Sequence, residues 1–259
     1  MPGPRMVLAT VLLGVLAKAQ TPPANPPVSP GPDVVASSGN LSMPLLRQRC
    51  IEFTAVKRGD KPDDLRDCRV SEFGDFGMVD GMRYYYALYC LVPNYAPDKG
   101  RCDDGSFPAG YFRNRGLGIF ISDESGADVR LLLQRATAEL LMIYSPPRVV
   151  RNAAGTILYL PIAVDGTSNF NESEYYLRET SEWRAIEARE WLTNLVARVP
   201  SGLQIETGVW PNLETMEAEA GLWRPADAHC CPTGGTARVK LSIRSRHFVL
   251  DSVVFEKPR

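Results

Sequence analysis

The sequence predicts a mainly β domain of the α+β class, in which an antiparallel sheet carries one packed amphipathic helix and is cross-linked by disulfides. Three observations predict it. In most segments apolar residues alternate with polar ones, and Gly, Pro, Asn or Asp bound the segment. One segment, 187–199, instead has apolar residues at helical spacing. The chain also has six cysteines, an even number that is typical of disulfides in an exported protein.

Residues 1–19 have the three parts of a cleavable secretory signal peptide. Arg5 supplies positive charge, an apolar stretch runs over 6–17, and Ala17-Lys18-Ala19 fits the rule of small residues before a cleavage site. As a helix, the apolar stretch would be about 18 Å long, which is short of a hydrocarbon core of ~30 Å. Cleavage is therefore favoured over an uncleaved anchor. We expect a periplasmic or secreted protein with no integral membrane span after cleavage.

Residues 20–44 are rich in proline and predict a disordered linker, because such a segment cannot bury enough apolar surface to offset its ordering entropy. The remainder, 45–259, is predicted to be one disulfide-bonded, mainly β domain, with a position near 145–155 where it could divide in two. The formal net charge is −1, and charges of both signs are interspersed. This pattern predicts no nucleic-acid partner, and we expect a monomer.

The spacing of the cysteines suggests two local disulfides, Cys50–Cys68 and Cys90–Cys102. Each would close a short loop, which is worth about 3 kcal/mol in the chain-entropy model. Cys230 and Cys231 then remain, and the sequence leaves open whether they bond each other, bond distant partners or are free.

The clearest strand is 236–244, where alternate residues are apolar, and 248–255 is expected to return as its hairpin partner. The helix over 187–199 places five apolar residues on one face and stops at Pro200; they are Trp191, Leu192, Leu195, Val196 and Val199. Segment 215–223 fits either a strand or a helix. The other predicted strands are 50–56, 83–90, 116–122, 129–133, 140–144 and 155–162.

The most unusual element is the run from Asp227 to Gly235, Asp-Ala-His-Cys-Cys-Pro-Thr-Gly-Gly. In one interpretation the two cysteines bond each other and form a redox-responsive pair. In a second, His229 and a thiolate join His247 and a carboxylate around zinc or copper. In the third, a rigid turn leads into the next strand and its cysteines attach it to the sheet. The chain has only two histidines and no C-x-x-C spacing, so the metal interpretation is the weakest.

Aromatic residues suggest a binding surface, since exposed rings often stack on glycans or peptides. The candidates are Tyr84, Tyr85, Tyr86, Tyr111, Trp210 and Trp223. The alternative is that they form the core of the β domain. Successive residues of a strand alternate faces, so at least one of the three adjacent tyrosines should point away from that core.

The sequence contains no G-x-S-x-G, and no Ser can be tied to a His and an Asp, so it predicts no catalytic residue and no cofactor. The leading hypothesis is an exported, non-catalytic module that binds an envelope component, a peptide or a glycan through the aromatic surface. The second is a redox- or metal-responsive exported protein that acts through His229, Cys230 and Cys231.

The run Asp-x-x-Cys-Cys-Pro-x-Gly over 227–234, followed by an alternating strand, resembles the C-terminal element of uncharacterised exported bacterial proteins, some of which are lipoproteins. The resemblance covers about the last 40 residues. It implies a bacterial, periplasmic setting and brings no activity with it. This chain differs from the lipoproteins because its first cysteine is Cys50, so the expected signal peptide is not followed by a lipobox cysteine.

Overall fold

The computed structural model describes residues 41–58, 65–93, 102, 113–126, 128–136, 142–164 and 171–258. The predicted signal peptide and nearly all of the predicted linker lie outside these residues, as does Tyr111. The linker prediction extends two residues too far, because a helix begins at Met43. None of the helices in the described part of the chain is long and apolar enough to cross a bilayer.

The described residues form two helices and thirteen strands, so the predicted mainly β fold is confirmed. In chain order they are α1 (Met43–Arg58), β1 (Leu65–Val79), β2 (Met82–Pro93), β3 (Gly116–Ser122), β4 (Arg130–Ala136), β5 (Met142–Tyr144), β6 (Arg148–Asn152), β7 (Gly155–Leu160), β8 (Ile162–Val164), β9 (Glu174–Glu179), β10 (Glu182–Ala185), α2 (Glu190–Val196), β11 (Glu217–Leu222), β12 (Gly235–Arg244) and β13 (His247–Glu256).

The strands form antiparallel sheets. The first is a meander in the order β1-β2-β3-β4, the middle sheet has the order β10-β9-β7-β6, and the last has the order β11-β12-β13. The short strands β5 and β8 pair with each other.

The middle sheet is apolar on both faces, because alternate residues of β7 and β9 enter two different core clusters. Leu158 and Tyr176 pack in a cluster with the first sheet. Their neighbours Ile157 and Tyr175 pack in a cluster with α2 and the last sheet. The first cluster joins residues on both sides of 145–155, so the core is continuous across that position.

The N-terminal helix corrects the prediction of a strand over 50–56. Leu46 and Cys50, four residues apart, are fully buried and pack on the first sheet with Ala87, Tyr89 and Phe120. That i, i+4 spacing favours a helix, and the alternation over 50–56 was too short to outweigh it.

The C-terminal strand predictions are confirmed. β12 and β13 form the expected hairpin, with Ala237, Val239 and Leu241 buried. The ambiguous segment 215–223 contains β11, in which Ala218, Ala220 and Leu222 are buried while the two glutamates are exposed.

Most other strand predictions match in part, and four strands escaped prediction. The prediction for 116–122 coincides with β3, and 155–162 is divided at Pro161 into β7 and β8. β1 escaped because its register shifts at three places and Gly77 has a φ of 122°, so its apolar residues do not alternate regularly. β6, β9 and β10 also escaped.

The predicted helix over 187–199 is shorter in the structure, as α2 spans Glu190–Val196. Trp191 and Leu195 are buried against the last sheet, as expected. Val196 was wrongly placed on the apolar face and is 58% exposed, because it lies about 140° around the helix from Trp191. Glu187 forms a β-bridge with His247 rather than joining the helix.

Candidate functional site

The loop from Arg224 to Gly234, which we call the CC loop, connects β11 to β12 and carries the two adjacent cysteines. It returns close to its starting point, since the N–H of Gly234 donates to the carbonyl of Leu222 at 2.7 Å. A Cβ at position 234 would lie 2.6 Å from both the Leu222 oxygen and Leu203 Cδ2, so only glycine fits there.

Asp227 organises the interior of the CC loop. Its Oδ2 accepts hydrogen bonds from the backbone N–H groups of Arg224 (2.7 Å) and Thr233 (2.8 Å), and its Oδ1 accepts the Thr233 hydroxyl at 2.6 Å. The hydrogen bond from the Thr233 side chain is the largest cause that lowers the pKa of Asp227, followed by the two backbone N–H groups. The contacts in the folded loop therefore favour the ionised carboxylate, which links Arg224 at one end of the loop to Thr233 at the other.

Arg224 adds a second link between the ends of the CC loop. Its Nη1 donates to the carbonyl of Thr233 at 2.6 Å and to the Thr233 hydroxyl at 2.7 Å. None of these contacts involves sulfur, so the loop has a framework that is independent of the disulfide.

The structure pairs Cys230 with Cys231, with a Cα–Cα distance of 3.8 Å, and the chain's other four cysteines form Cys50–Cys68 and Cys90–Cys102, as the spacing suggested. Both members of the adjacent pair are exposed, whereas Cys50 and Cys90 are buried and their partners are half-buried. The three disulfides therefore differ sharply in their access to a reagent in solution.

His229 precedes Cys230 in the chain, and Glu206 orients the His229 ring. The distance from His229 Nδ1 to Glu206 Oε2 is 2.9 Å, while the other oxygen of Glu206 accepts a hydrogen bond from Gln204. Gln204 is in turn fixed through its backbone, which pairs with that of Trp223 at the start of the CC loop.

The structure does not bring His247 to the CC loop, so the predicted set of metal ligands is wrong. His247 pairs with Arg244 at the far end of the β12–β13 hairpin, and the two ends of β12 lie about 30 Å apart. There His247 Nδ1 is 3.6 Å from Glu190. Among the described residues, no group of three or more His, Cys, Asp or Glu side chains is arranged to hold a metal ion.

Three of the six aromatic candidates are core residues rather than surface residues. Tyr84 is 1% exposed, Tyr86 9% and Trp223 4%. The Tyr84 hydroxyl accepts a hydrogen bond from Trp183 at 3.1 Å, and the Tyr86 hydroxyl donates to Glu72 at 2.7 Å. The rings of Tyr84 and Tyr86 are covered because the first sheet packs against the middle sheet.

Tyr85 faces the opposite side of β2, as the alternation predicted. That side of the sheet packs against α1, and Tyr85 is half-buried at the edge of their shared cluster. Trp210 is also half-buried. Of the predicted aromatic residues that the structure describes, only Tyr85 and Trp210 are not core residues, and the binding function stays a prediction.

A polar cluster of two half-buried charged residues and one buried tyrosine joins β4 to β9, and sequence reasoning missed it. Arg135 Nε lies 2.7 Å from Glu174 Oε2, and the Tyr176 hydroxyl contacts both side chains. Burial is the largest single influence on the pKa of Arg135 and lowers it, but the charges and hydrogen bonds of Glu174 and Tyr176 together outweigh burial and raise that pKa. Burial raises the pKa of Tyr176, and Glu174 raises it further. The cluster couples the first and middle sheets; no local pattern links residues so distant in sequence.

No protein-family model, curated protein or solved structure matches this chain. Within the described residues, the CC loop carries the disulfide whose two cysteines are both exposed.

Proposed function

We propose that this chain is an exported, thiol-responsive protein in which the Cys230–Cys231 disulfide is opened and closed reversibly by thiols in its surroundings. The observation that carries the proposal is the exposure of both cysteines of this pair, in contrast with the other two disulfides, each of which joins a buried cysteine to a half-buried one. Export is part of the proposal, and the features of residues 1–19 support it.

The reductant that fits this site is a thiol, and a dithiol gives a complete reaction. One thiolate of the dithiol attacks the sulfur of Cys230 or Cys231, the bond between the two sulfurs breaks, and the other cysteine leaves as a thiolate. The second thiolate of the reagent then attacks the mixed disulfide and releases the first cysteine. Two electrons pass to the protein, and the reagent becomes a disulfide. The reverse sequence, driven by a disulfide oxidant, restores the bond.

The framework of the CC loop supports reversibility. Asp227 and Arg224 hold the loop through Thr233, and neither side chain contacts the disulfide through those bonds. The N–H of Cys231 donates to the carbonyl of Ala228 at 2.9 Å, and neither of these atoms is a sulfur. We expect the reduced loop to keep its path, so that the two thiols stay close enough to bond again.

The experiment is native reduction followed by trapping. The purified protein is treated with increasing dithiothreitol under non-denaturing conditions, alkylated with iodoacetamide and mapped by peptide mass spectrometry. We expect Cys230 and Cys231 to be alkylated at dithiothreitol concentrations that leave Cys50–Cys68 and Cys90–Cys102 intact. Removal of the reductant and addition of oxidised glutathione should restore the bond.

The double variant C230S/C231S is the matched control, because it keeps the loop length and the Asp227 contacts. It should show no alkylation at these positions and should unfold at nearly the same temperature as the unaltered chain. Reduction of Cys50–Cys68 or Cys90–Cys102 before Cys230–Cys231 would contradict the proposal, since access would then not control the reaction.

A further inference from the structure

The reduced CC loop presents two adjacent thiols whose sulfur atoms were bonded to each other before reduction. Adjacent cysteines lie on Cα atoms 3.8 Å apart, and the disulfide shows that the backbone here lets both side chains converge on one point. A single thiophilic atom placed between the sulfurs would close a ring only one atom larger than that of the disulfide.

We propose that the reduced loop chelates a soft, thiophilic metalloid or metal, of which trivalent arsenic is the reference member, through the thiolates of Cys230 and Cys231. The inference rests on the proposed thiol response, because only the reduced form offers the ligands. Thiolates are the protein ligands that soft ions prefer.

Preorganisation is the second reason for assigning chelation to this loop. Hydrogen bonds from Arg224 and Thr233 to the Asp227 carboxylate fix the loop on both sides of the cysteines. Two ligands held in place lose less conformational entropy on binding than two ligands on a mobile chain, which raises the affinity of the pair.

The exposure of the loop is the third reason. Both cysteines are open to solvent, so a ligand reaches the sulfurs without rearrangement of the core. By contrast, Cys50–Cys68 joins α1 to β1, and Cys90–Cys102 ties β2 to a turn residue; each of these pairs has one buried cysteine. A chelated ion would have to reach both sulfurs of a pair, and in each of these pairs one cysteine is buried.

The reaction with an arylarsenical balances without any additional reagent. Phenylarsine oxide carries one oxygen on arsenic, and two thiols replace it. Two sulfur–arsenic bonds form, the arsenic–oxygen bonds break, and the oxygen leaves with the two thiol protons as one water molecule. No atom changes its oxidation state in this step, and the oxidised disulfide cannot take part in it.

The test begins with the purified protein after native reduction and removal of dithiothreitol. A count of alkylated cysteines first establishes whether Cys230 and Cys231 are thiols. Phenylarsine oxide is then added in the presence of 2-mercaptoethanol, which competes for arsenic that is held by a single thiol. Intact mass spectrometry and iodoacetamide mapping report the adduct and its position.

We expect one arsenical for each protein molecule and loss of alkylation at both Cys230 and Cys231. The variant C231S should bind the arsenical at least tenfold more weakly under this competition, because one thiolate cannot chelate. The variant H247Q is the control and should bind as the unaltered chain does, since His247 lies at the other end of the β12–β13 hairpin.

The two proposals fail in different ways. If Cys230–Cys231 resists native reduction, the thiol response is wrong. If both thiols form but phenylarsine oxide does not protect them from alkylation, or C231S binds as tightly as the unaltered chain, the thiol response stands and the chelation proposal is overturned.

Discussion

The carboxylate of Asp227 and residue Thr233 are joined twice, once through the Thr233 backbone N–H (2.8 Å) and once through its hydroxyl (2.6 Å). This relationship closes the CC loop around Cys230 and Cys231, and both donors favour the ionised carboxylate. It makes the geometry of the loop dependent on the charge of Asp227.

The first prediction concerns the titration of Asp227. Because the folded-state pKa of this group is depressed below its ordinary value of 3.8, its stabilising effect is present above that value and is lost as the pH falls through the folded-state pKa. An NMR titration of the carboxyl group should give a pKa below 3.8 in the unaltered chain. In T233V the pKa should move upward, because the largest cause of the depression is removed.

The matched control is T215V, which changes another exposed threonine outside the CC loop. It should leave the titration of Asp227 unchanged. An Asp227 pKa that is the same in T233V and in the unaltered chain would contradict the assigned cause.

The second prediction concerns the largely covered ion pair of Arg135 and Glu174, whose side chains are 16% and 19% exposed. Replacing Glu174 with Gln leaves a guanidinium with little solvent access and no opposing charge, which should cost about 3 kcal/mol of the free energy of unfolding. Urea denaturation measures the loss. E182Q is the control, since Glu182 lies on the surface beside Arg184 and its loss should change the free energy by less than about 0.5 kcal/mol. Equal effects of the two variants would show that burial does not set the cost.

The third prediction concerns the hydrogen bond between Tyr84 and Trp183, which links β2 to β10 inside the core. In Y84F the indole N–H of Trp183 loses its partner at 3.1 Å and remains buried, so the free energy of unfolding should fall by about 1–3 kcal/mol. The edge-to-face packing of the two rings, 6.0 Å apart, is kept by phenylalanine. Chemical denaturation measures the change.

Y85F provides the comparison for this third prediction, as Tyr85 is adjacent in sequence but half-buried on the other face of β2. We expect a smaller loss than in Y84F. If Y85F lost more free energy of unfolding than Y84F, the tyrosine hydroxyl on the α1 side of β2 would be the more important one, and the prediction would be contradicted.

The fourth prediction concerns the N-terminus. If residues 1–19 are a cleaved signal peptide, expression of the whole chain in a bacterium should yield a mature protein that begins at Gln20. Edman or mass-spectrometric sequencing of the protein from each cell fraction identifies its N-terminal residue. A chain that keeps Met1 and stays with the cytoplasmic fraction would contradict export, and with it the compartment on which the thiol response depends.

The alternation of apolar and polar residues was sufficient to predict a strand where one face of that strand is buried and the other faces solvent. In β12 the buried Ala237, Val239 and Leu241 alternate with charged residues, so the sequence indicated both the strand and its orientation. The same signal is weak in β1, where register shifts interrupt the alternation. It misled over 50–56, where Cys50 belongs to the buried face of a helix.

The candidate site was visible in the sequence as an unusual run of residues, but its chemistry was not. The adjacent cysteines made 227–235 the most unusual run in the sequence, but the sequence alone left three interpretations open, of which the metal site was the weakest. What separates them is the exposure of the pair and the distance of His247 along the hairpin, and both follow from how β11, β12 and β13 are packed.

The sequence by itself determined the mainly β character of the chain, the C-terminal hairpin and the local pairing of four cysteines, because these depend on periodicity and on short separations along the chain. Only the tertiary structure decided that Tyr84 and Trp223 are buried, that Arg135 meets Glu174 and that Cys230–Cys231 is the exposed disulfide. Burial and long-range pairing arise when sheets pack against one another, and no local pattern records which faces will meet.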